Sequence, residues 1–330
     1  MSYTIKDVAK HANVSVGTAS KYINGIFIKE KNSLRIQSAI EALNFTPNAL
    51  ARSLRENKTK TIGIVIRNLI DIFSGVIASD IEKEMTNNGY GVLISNYGVS
   101  GNEAEAIELL MRKHVDGIIV FPSGEIRDYG KINKENIPIV TIDEYVDEAC
   151  DSVTMNNYSA SCLAAKYILQ NGHRNIAIIT GEISKNVFLE RYLGIKETLL
   201  NAGLKENENF TFYDAIDSKS SYKITKKILN GKFPPTIIYT TSYYFTVGAL
   251  MAISEKRLSM PKQISFIGFD YNFMFDVFEH DLTSINQNHE EIASAATKVL
   301  LTRLSGDYKT FPKKKVLNVD FCEGGTVLKI

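Results

Sequence analysis

A chain of 330 residues with 44% hydrophobic side chains can bury more than one core, so more than one domain is expected. The formal net charge is +1, but residues 1–60 hold ten Lys or Arg against four Asp or Glu, which leaves a basic head on an acidic body. The start, MSYTIKDVAK, lacks the apolar core of a signal peptide, and no stretch approaches the ~18 apolar residues of a membrane span, so a cytoplasmic protein without membrane contact is expected.

The first stretch, Thr4 to Gly25, reads TIKDVAKHANVSVGTASKYING. Ile5, Val8, Ala9 and Ala12 recur at helical spacing, so Thr4 opens a short amphipathic helix that breaks at Asn13. Ser15 is suited to cap a second helix, with Val16, Ala19, Ser20 and Ile23 facing inward and Gly25 supplying a left-handed stop. Its outward face is Gly17, Thr18, Lys21 and, at the edge, Tyr22. Two helices so close in sequence must cross steeply, which is the geometry of a DNA-reading helix-turn-helix; the bland alternative is a plain helical hairpin. Thr18 and Ser20 have the right size for phosphate or base contacts.

Ile36, Ile40 and Leu43 give a third apolar stripe that would cover the first two helices. Asn32 or Ser33 is placed to cap this helix, and Asn44 can take a left-handed turn after it. After Phe45 and Pro47 comes NALARSLREN, apolar at Ala49, Leu50 and Leu54 and basic at Arg52 and Arg55. It is shorter than the roughly 12 residues an isolated helix needs in water, so it is either a helix stabilised by a partner or a flexible linker.

The run TIKDVAKHANVSVGTASKYING followed by FTPNALARSLRENKTKTIGIV resembles the LacI/GalR family of bacterial transcriptional repressors, and the likeness extends over nearly the whole chain. The resemblance implies a three-helix head over residues 1–46, a hinge helix and linker over 47–60, and base reading by Val16, Gly17 and Lys21. Gly17 and Lys21 stand where Ala and Arg are more usual, and Tyr22 replaces a small aliphatic residue. In the family the hinge helix pairs with its dimer mate in the minor groove and levers a base step open with a Leu that matches Leu54. The full set expected on DNA is Thr4, Ser15, Val16, Gly17, Thr18, Ser20, Lys21, Tyr22, Asn24, Asn48, Ala51, Leu54 and Arg55.

From Thr61 onward apolar runs alternate with longer amphipathic segments. The runs are 62–66, 92–95, 117–121, 139–142, 176–180, 236–240 and 264–269, the pattern of a doubly wound parallel sheet. Two such sheets in series imply two α/β lobes with a cleft at the carboxyl ends of the strands. The resemblance implies the same, since the family shares the two-lobed fold of periplasmic sugar-binding proteins. Within 61–330, a first lobe of about 61–157 and 288–317 and a second of about 158–287 and 318–330 are expected.

Loops at those strand ends supply ligand candidates. Phe73 matches an aromatic of the family's cleft, Arg191 in LERYLGI and Asp270 in FIGFDYN match its polar clamps, and Gln287 in SINQN also matches. An Arg and an Asp facing one cavity can hold hydroxyls, amides or a carboxylate, although a lone Arg is usually solvated and Asp270 could cap a turn. Where most members carry Asn-Asp, this chain has Ser242 and Tyr243, followed by Tyr244 and Phe245. Tyr145 and Tyr271 could add aromatic surface. Glu323 and Gly325 stand where Arg and Ser are usual.

Catalysis has little support. GxGxxG after a strand, GxxxxGK[ST], HExxH and GxSxG are all missing, and the five histidines are scattered. His173, beside Arg174, reads as a charge at a helix end rather than a base. Cys150, Cys162 and Cys322 form no CxxC pair and read as buried small hydrophobes rather than disulfide or zinc ligands. No cofactor or metal is expected. The partners expected are an operator duplex, a second copy of the chain and a small effector such as a sugar or sugar phosphate. A sugar-binding module whose head contacts protein rather than DNA is the alternative.

Overall fold

The computed structural model describes residues 3–23, 25–46, 58–98, 101–126, 128–133, 136–205, 210–270 and 281–330. It separates into two compact units, 1–60 and 61–330. The hinge candidates Asn48, Ala51, Leu54 and Arg55, together with Asn24 and Tyr271, lie outside the described residues.

The head contains α1 (Ile5–His11), α2 (Val16–Ile23) and α3 (Glu30–Ala42). Thr4 and Asp7 clamp the start of α1, the Asp7 carboxylate accepting from Thr4 N at 2.8 Å and from its hydroxyl at 2.7 Å. Those bonds hold the Asp7 carboxyl below its ordinary value, the Thr4 hydroxyl contributing most. Asn13 takes a φ of 52° to make the turn, and Ser15 Oγ accepts from Thr18 N at 3.1 Å to cap α2. The core is Val8, Ala9, Ala12, Ala19, Ile36 and Ala39, with Ile5, Val14, Tyr22, Ile28, Ile40, Leu43 and Phe45 packed around it.

Two expectations for the head are corrected. Val16 does not face inward: it is 44% exposed. Helical side chains lean toward the N-terminus, so this first residue of α2 points past the end of its helix and Val14 fills the core instead. Nor does Asn32 or Ser33 cap α3, which begins at Glu30 after Lys29 and has no side-chain cap there.

The larger unit holds two six-stranded sheets. Its elements are β1 (Thr61–Ile66), α4 (Ile72–Asn87), β2 (Gly91–Asn96), α5 (Glu103–Arg112), β3 (Gly117–Val120), β4 (Ile139–Ile142), β5 (Asp151–Met155), α6 (Asn157–Gln170), β6 (Ile176–Ile179), α7 (Asn186–Asn201), β7 (Thr211–Phe212), α8 (Ser218–Leu229), β8 (Ile237–Thr240), α9 (Tyr243–Glu255), β9 (Ser265–Phe269), β10 (Ser284–Asn286), α10 (His289–Leu304), β11 (Lys314–Leu317) and β12 (Asp320–Cys322). The first sheet runs β11-β5-β4-β3-β1-β2 and the second β12-β10-β9-β8-β6-β7. All pairings are parallel except β10 with β12. β1, β3, β4, β6, β8 and β9 are almost wholly buried, which is why they read as continuous apolar runs rather than alternations.

Each sheet carries its own core, and α10 packs on the first sheet through Ile292, Ala293, Ala296, Val299 and Leu300. α6 packs on the second through Ala160, Ala164, Ala165 and Ile168. The chain therefore passes between the lobes from β5 into α6, from β10 into α10 and from β11 into β12. Asn156 and Asn288, at the first two passages, cap the helices that follow by accepting from Ser159 N and Glu291 N. Of the cysteines, only Cys150 is the buried small hydrophobe expected: Cys162 is half-buried and Cys322, on the edge strand β12, is exposed.

The returning segment is fixed by a buried ion pair that the sequence pattern does not announce. Arg303 on α10 grips Asp151 on β5 with Nη2 to Oδ1 at 2.8 Å and Nε to Oδ2 at 2.9 Å, both side chains being almost fully buried. Asp151 Oδ1 also accepts from Lys313 N, just before β11. Removing one partner of such a pair leaves a buried charge unanswered. Arg303→Ala is expected to lower stability by about 3–5 kcal/mol, read from urea unfolding. A loss within experimental error would show that the pair does not hold the lobe.

Candidate functional sites

In the head, one face of α2 is open to solvent. Lys21, Val16 and Gly17 are exposed, whereas Tyr22 is half-buried against the head core and serves as much in packing as at the edge. Thr18 is half-buried, its hydroxyl 2.8 Å from Ser15 Oγ. A Cβ on Gly17 would meet only Ser15 Oγ at 3.9 Å, so packing within the head does not require the glycine. What it leaves open is a bare stretch of helix beside Lys21, through which a duplex can approach the backbone.

The second site is built at the carboxyl ends of the strands in the larger unit. Arg191, on α7, is 3% exposed. Its Nε donates to Asn157 Oδ1 at 2.7 Å, its Nη1 donates to the Thr241 carbonyl at 2.7 Å, and its guanidinium lies 3.9 Å from the Phe269 ring centroid. One turn on, Gly194 lets α7 approach α6, since a Cβ there would fall 2.2 Å from the Tyr158 carbonyl oxygen. That close approach puts Arg191 within reach of Asn157 at the start of α6.

Asp270, just after β9, is 8% exposed and takes a φ of 59°; its N–H donates to the Ile285 carbonyl and its Oδ1 accepts from Gln287 Nε2 at 2.7 Å. Burial pushes its carboxyl up to about 6, against the pull of Arg191 and the Gln287 bond. Asp143, just after β4 of the other lobe, repeats the arrangement with a φ of 73° and its N–H on the Val153 carbonyl. Burial raises its carboxyl as well, again opposed by Arg191. As a residue Asp143 is half-buried, but Oδ1 is shielded from solvent and has no hydrogen-bond partner among the described residues; the same holds for Gln287 Oε1. Two carboxylates and a guanidinium thus converge with two unanswered acceptors, which calls for a ligand that donates hydrogen bonds.

The other candidates are placed differently. Phe73 stands edge-on to Phe121 and His289, at centroid distances of 6.3 and 5.6 Å. Ser242 caps α9, and Tyr243 is buried in the second lobe's core. Tyr145 is engaged in its own lobe: its hydroxyl donates to Glu148 and Lys314 Nζ lies 4.1 Å from its ring centroid, so nothing joins it to Arg191. Beside Asp143, a polar cavity of about 290 Å³ is lined from the first lobe by Ser123, Gly124, Glu125 and Glu144 and from the second by Glu182, Ser184 and Lys185.

Sequence reasoning missed Asp143 and Asn157. Asp143 ends the TID run after β4, and an Asp at a strand's carboxyl end was the only available signal. His173 is corrected: its Nδ1 pairs with Thr236 Oγ1 at 2.8 Å and its Nε2 with the Leu328 carbonyl at 2.9 Å, while burial lowers its pKa. It is a neutral buried bridge rather than a charge on the helix end, a role Arg174 fills by donating to the Leu169 and His173 carbonyls.

A helix-turn-helix head followed by a two-lobed unit with polar side chains gathered at its strand ends defines a ligand-regulated DNA-binding protein. The model of bacterial regulatory proteins of the lacI family matches residues 4–48, and that of periplasmic binding proteins and the sugar-binding domain of the LacI family matches 59–310. The chain is 33% identical over 311 residues to the HTH-type transcriptional repressor PurR of Actinobacillus pleuropneumoniae, covering 92% of each protein. It is 32% identical over 312 residues to that of Photorhabdus laumondii, covering 91% of this chain and 90% of the relative. In fold it matches the lac repressor dimer bound to operator and the anti-inducer ONPF, with a TM-score of 0.86, 22% identity and coverage of 99% and 100%. It also matches a CelR–cellobiose complex, with a TM-score of 0.73, 23% identity and coverage of 98% and 99%. The chain belongs to the LacI family of bacterial regulatory proteins and is a transcriptional regulator rather than an enzyme.

The raised Asp270 carboxyl has a measurable consequence. The unfolded chain ionises this group near its ordinary value of about 4 and the folded chain near 6. The unfolded state sheds its proton first, so folding stability falls as pH rises from about 4 to 6, by about 2–3 kcal/mol. Asp270→Asn keeps an acceptor for Gln287 and should flatten that fall in urea melts taken across the range. A fall of undiminished size would assign it to other groups.

Proposed function

We propose that the chain is a cytoplasmic, dimeric repressor that reads an approximately palindromic operator through α2 and the segment 47–60, and that a small effector held between the lobes switches it. The supporting observation is the gathering of Asp143 from one lobe with Arg191, Asp270 and Gln287 from the other. The lobes divide at the three passages, giving 61–157 with 288–317 and 158–287 with 318–330. Two-fold symmetry follows from a single head that contributes one half-site, and a relative in fold is a dimer on its operator. Above about pH 6 the Asp270 carboxylate offsets the one guanidinium, and Glu125, Glu144 and Glu182 line the adjoining cavity against Lys185. That balance favours a neutral, hydroxyl-rich or amide-bearing effector and disfavours a sugar phosphate. Another relative in fold was solved with cellobiose.

The mechanism is linkage. An effector that binds one lobe angle better than another shifts the angle, and with it the spacing of the two segments entering the operator. Selection of bound duplexes from a random pool, followed by retesting the winner against neutral sugars, sugar phosphates and nucleobases, tests the whole reading. Enrichment of no sequence, with binding insensitive to salt, would favour a head that contacts protein.

Two outcomes are expected of variants. Lys21→Ala should cost about 1–3 kcal/mol on the selected operator and little on random duplex, whereas Lys58→Ala should weaken both alike; equal losses for Lys21→Ala would remove it from the reading set. Arg191→Ala and Asp270→Ala should abolish the effector's influence while leaving effector-free operator affinity within a small factor. If both variants respond normally to the identified effector, the ligand binds elsewhere.

A further inference from the structure

The first turns of α4 and α9 meet across the cleft and are joined directly. The Tyr244 hydroxyl donates to Asp71 Oδ1 at 3.0 Å, and Oδ2 of the same carboxylate accepts from Ser74 N at 3.1 Å, capping α4. One carboxylate thus serves its own helix with one oxygen and the opposite lobe with the other. Ile72, the next residue, packs into the second lobe's core cluster alongside Tyr244. Tyr244 is held in place by its neighbours: Ser242 caps α9, and the buried Tyr243 stands edge-on to the Tyr244 ring at 5.5 Å. Burial first, and the Asp71 charge second, push the Tyr244 phenol up, so the hydroxyl remains a donor across the physiological range.

We propose that Tyr244 is a positioning residue for lobe closure: its bond to Asp71, with Ile72 seated beside it, clasps the lobes and sets the closed fraction on which an effector acts. The inference rests on reading the cleft as a ligand-switched hinge. A hydrogen bond to a charged group is among the stronger single bonds, and it forms only when the two first turns are face to face. Opening the lobes returns both groups to water and withdraws Ile72 from its contacts. The clasp therefore adds to the closed state alone, and a ligand's apparent affinity scales with the fraction of molecules already competent to bind it.

The test uses the full-length, ligand-free protein and hydrogen exchange read by mass spectrometry over peptides 67–75 and 241–247. Tyr244→Phe keeps the ring and its packing, and Asp71→Asn keeps a cap for α4, so neither should unfold the chain. Each should speed exchange in both peptides about tenfold, with little change in melting temperature, and the double variant should be no faster than either single one. Unchanged exchange in 67–75 for Tyr244→Phe, or additive effects in the double variant, would overturn the clasp. If such a variant still bound the selected operator and answered an effector, the repressor reading would stand without it.

Discussion

The grip of Arg303 on Asp151 fixes how the larger unit is threaded. The chain leaves the first lobe after β5 and builds most of the second, then must return and lay α10 and β11 on a sheet it left well over a hundred residues earlier. Apolar packing of α10 supplies most of the energy but little direction, because an amphipathic helix can slide on a flat sheet face. The bidentate pair is directional, and Lys313 N on the same carboxylate places β11 beside β5. With the return set, the passages at Asn156, at Asn288 and between β11 and β12 are the short tethers between two separately packed sheets.

Two of the residues with strained backbone stand at strand ends facing the candidate cleft. Asp143 and Asp270 both hold positive φ, a conformation that costs a residue with a side chain on the order of 1 kcal/mol. In each case the strained residue donates its N–H to the neighbouring strand, on Val153 or Ile285, so the sheet over-determines the turn. The two carboxylates are therefore aimed by the strand ends that carry them.

Most of the fold was legible because buried parallel strands and amphipathic helices leave strong periodic marks. The runs at 62–66, 117–121 and 264–269 each became a central strand. β5, DSVTM, was missed because its polar residues find buried partners, Asp151 in Arg303 above all, and burial of a satisfied charge has no apolar signature. β10, β11 and β12 are short, and β11 and β12 lie at sheet edges where one side needs no apolar cover. In the head, Val16 misled because a helical period says nothing about end effects. In the cleft, Arg191 and Asp270 were named from the resemblance, while Asn157 was not, because what matters there is Gly194 allowing two helices to approach. Tyr244 was visible only as an aromatic in an unusual place; its partner Asp71 lies 173 positions away.

On the proposed reading of the cleft, the distribution of its polar groups decides which ligands can switch the protein. Arg191, Asp270 and Gln287 belong to one lobe and Asp143 to the other, so a molecule that satisfies only the first three binds open and closed forms alike and shifts nothing, however tightly it binds. Moving a two-state equilibrium from 1:99 to 99:1 needs a preference of about 10⁴-fold, more than one added hydrogen bond supplies. An effective ligand must therefore answer the shielded Asp143 Oδ1 and Gln287 Oε1 together, across the cleft. The Tyr244 to Asp71 contact relaxes that demand: by adding its own stabilisation to the closed form, it moves the resting equilibrium toward the point where a modest bridging preference is enough.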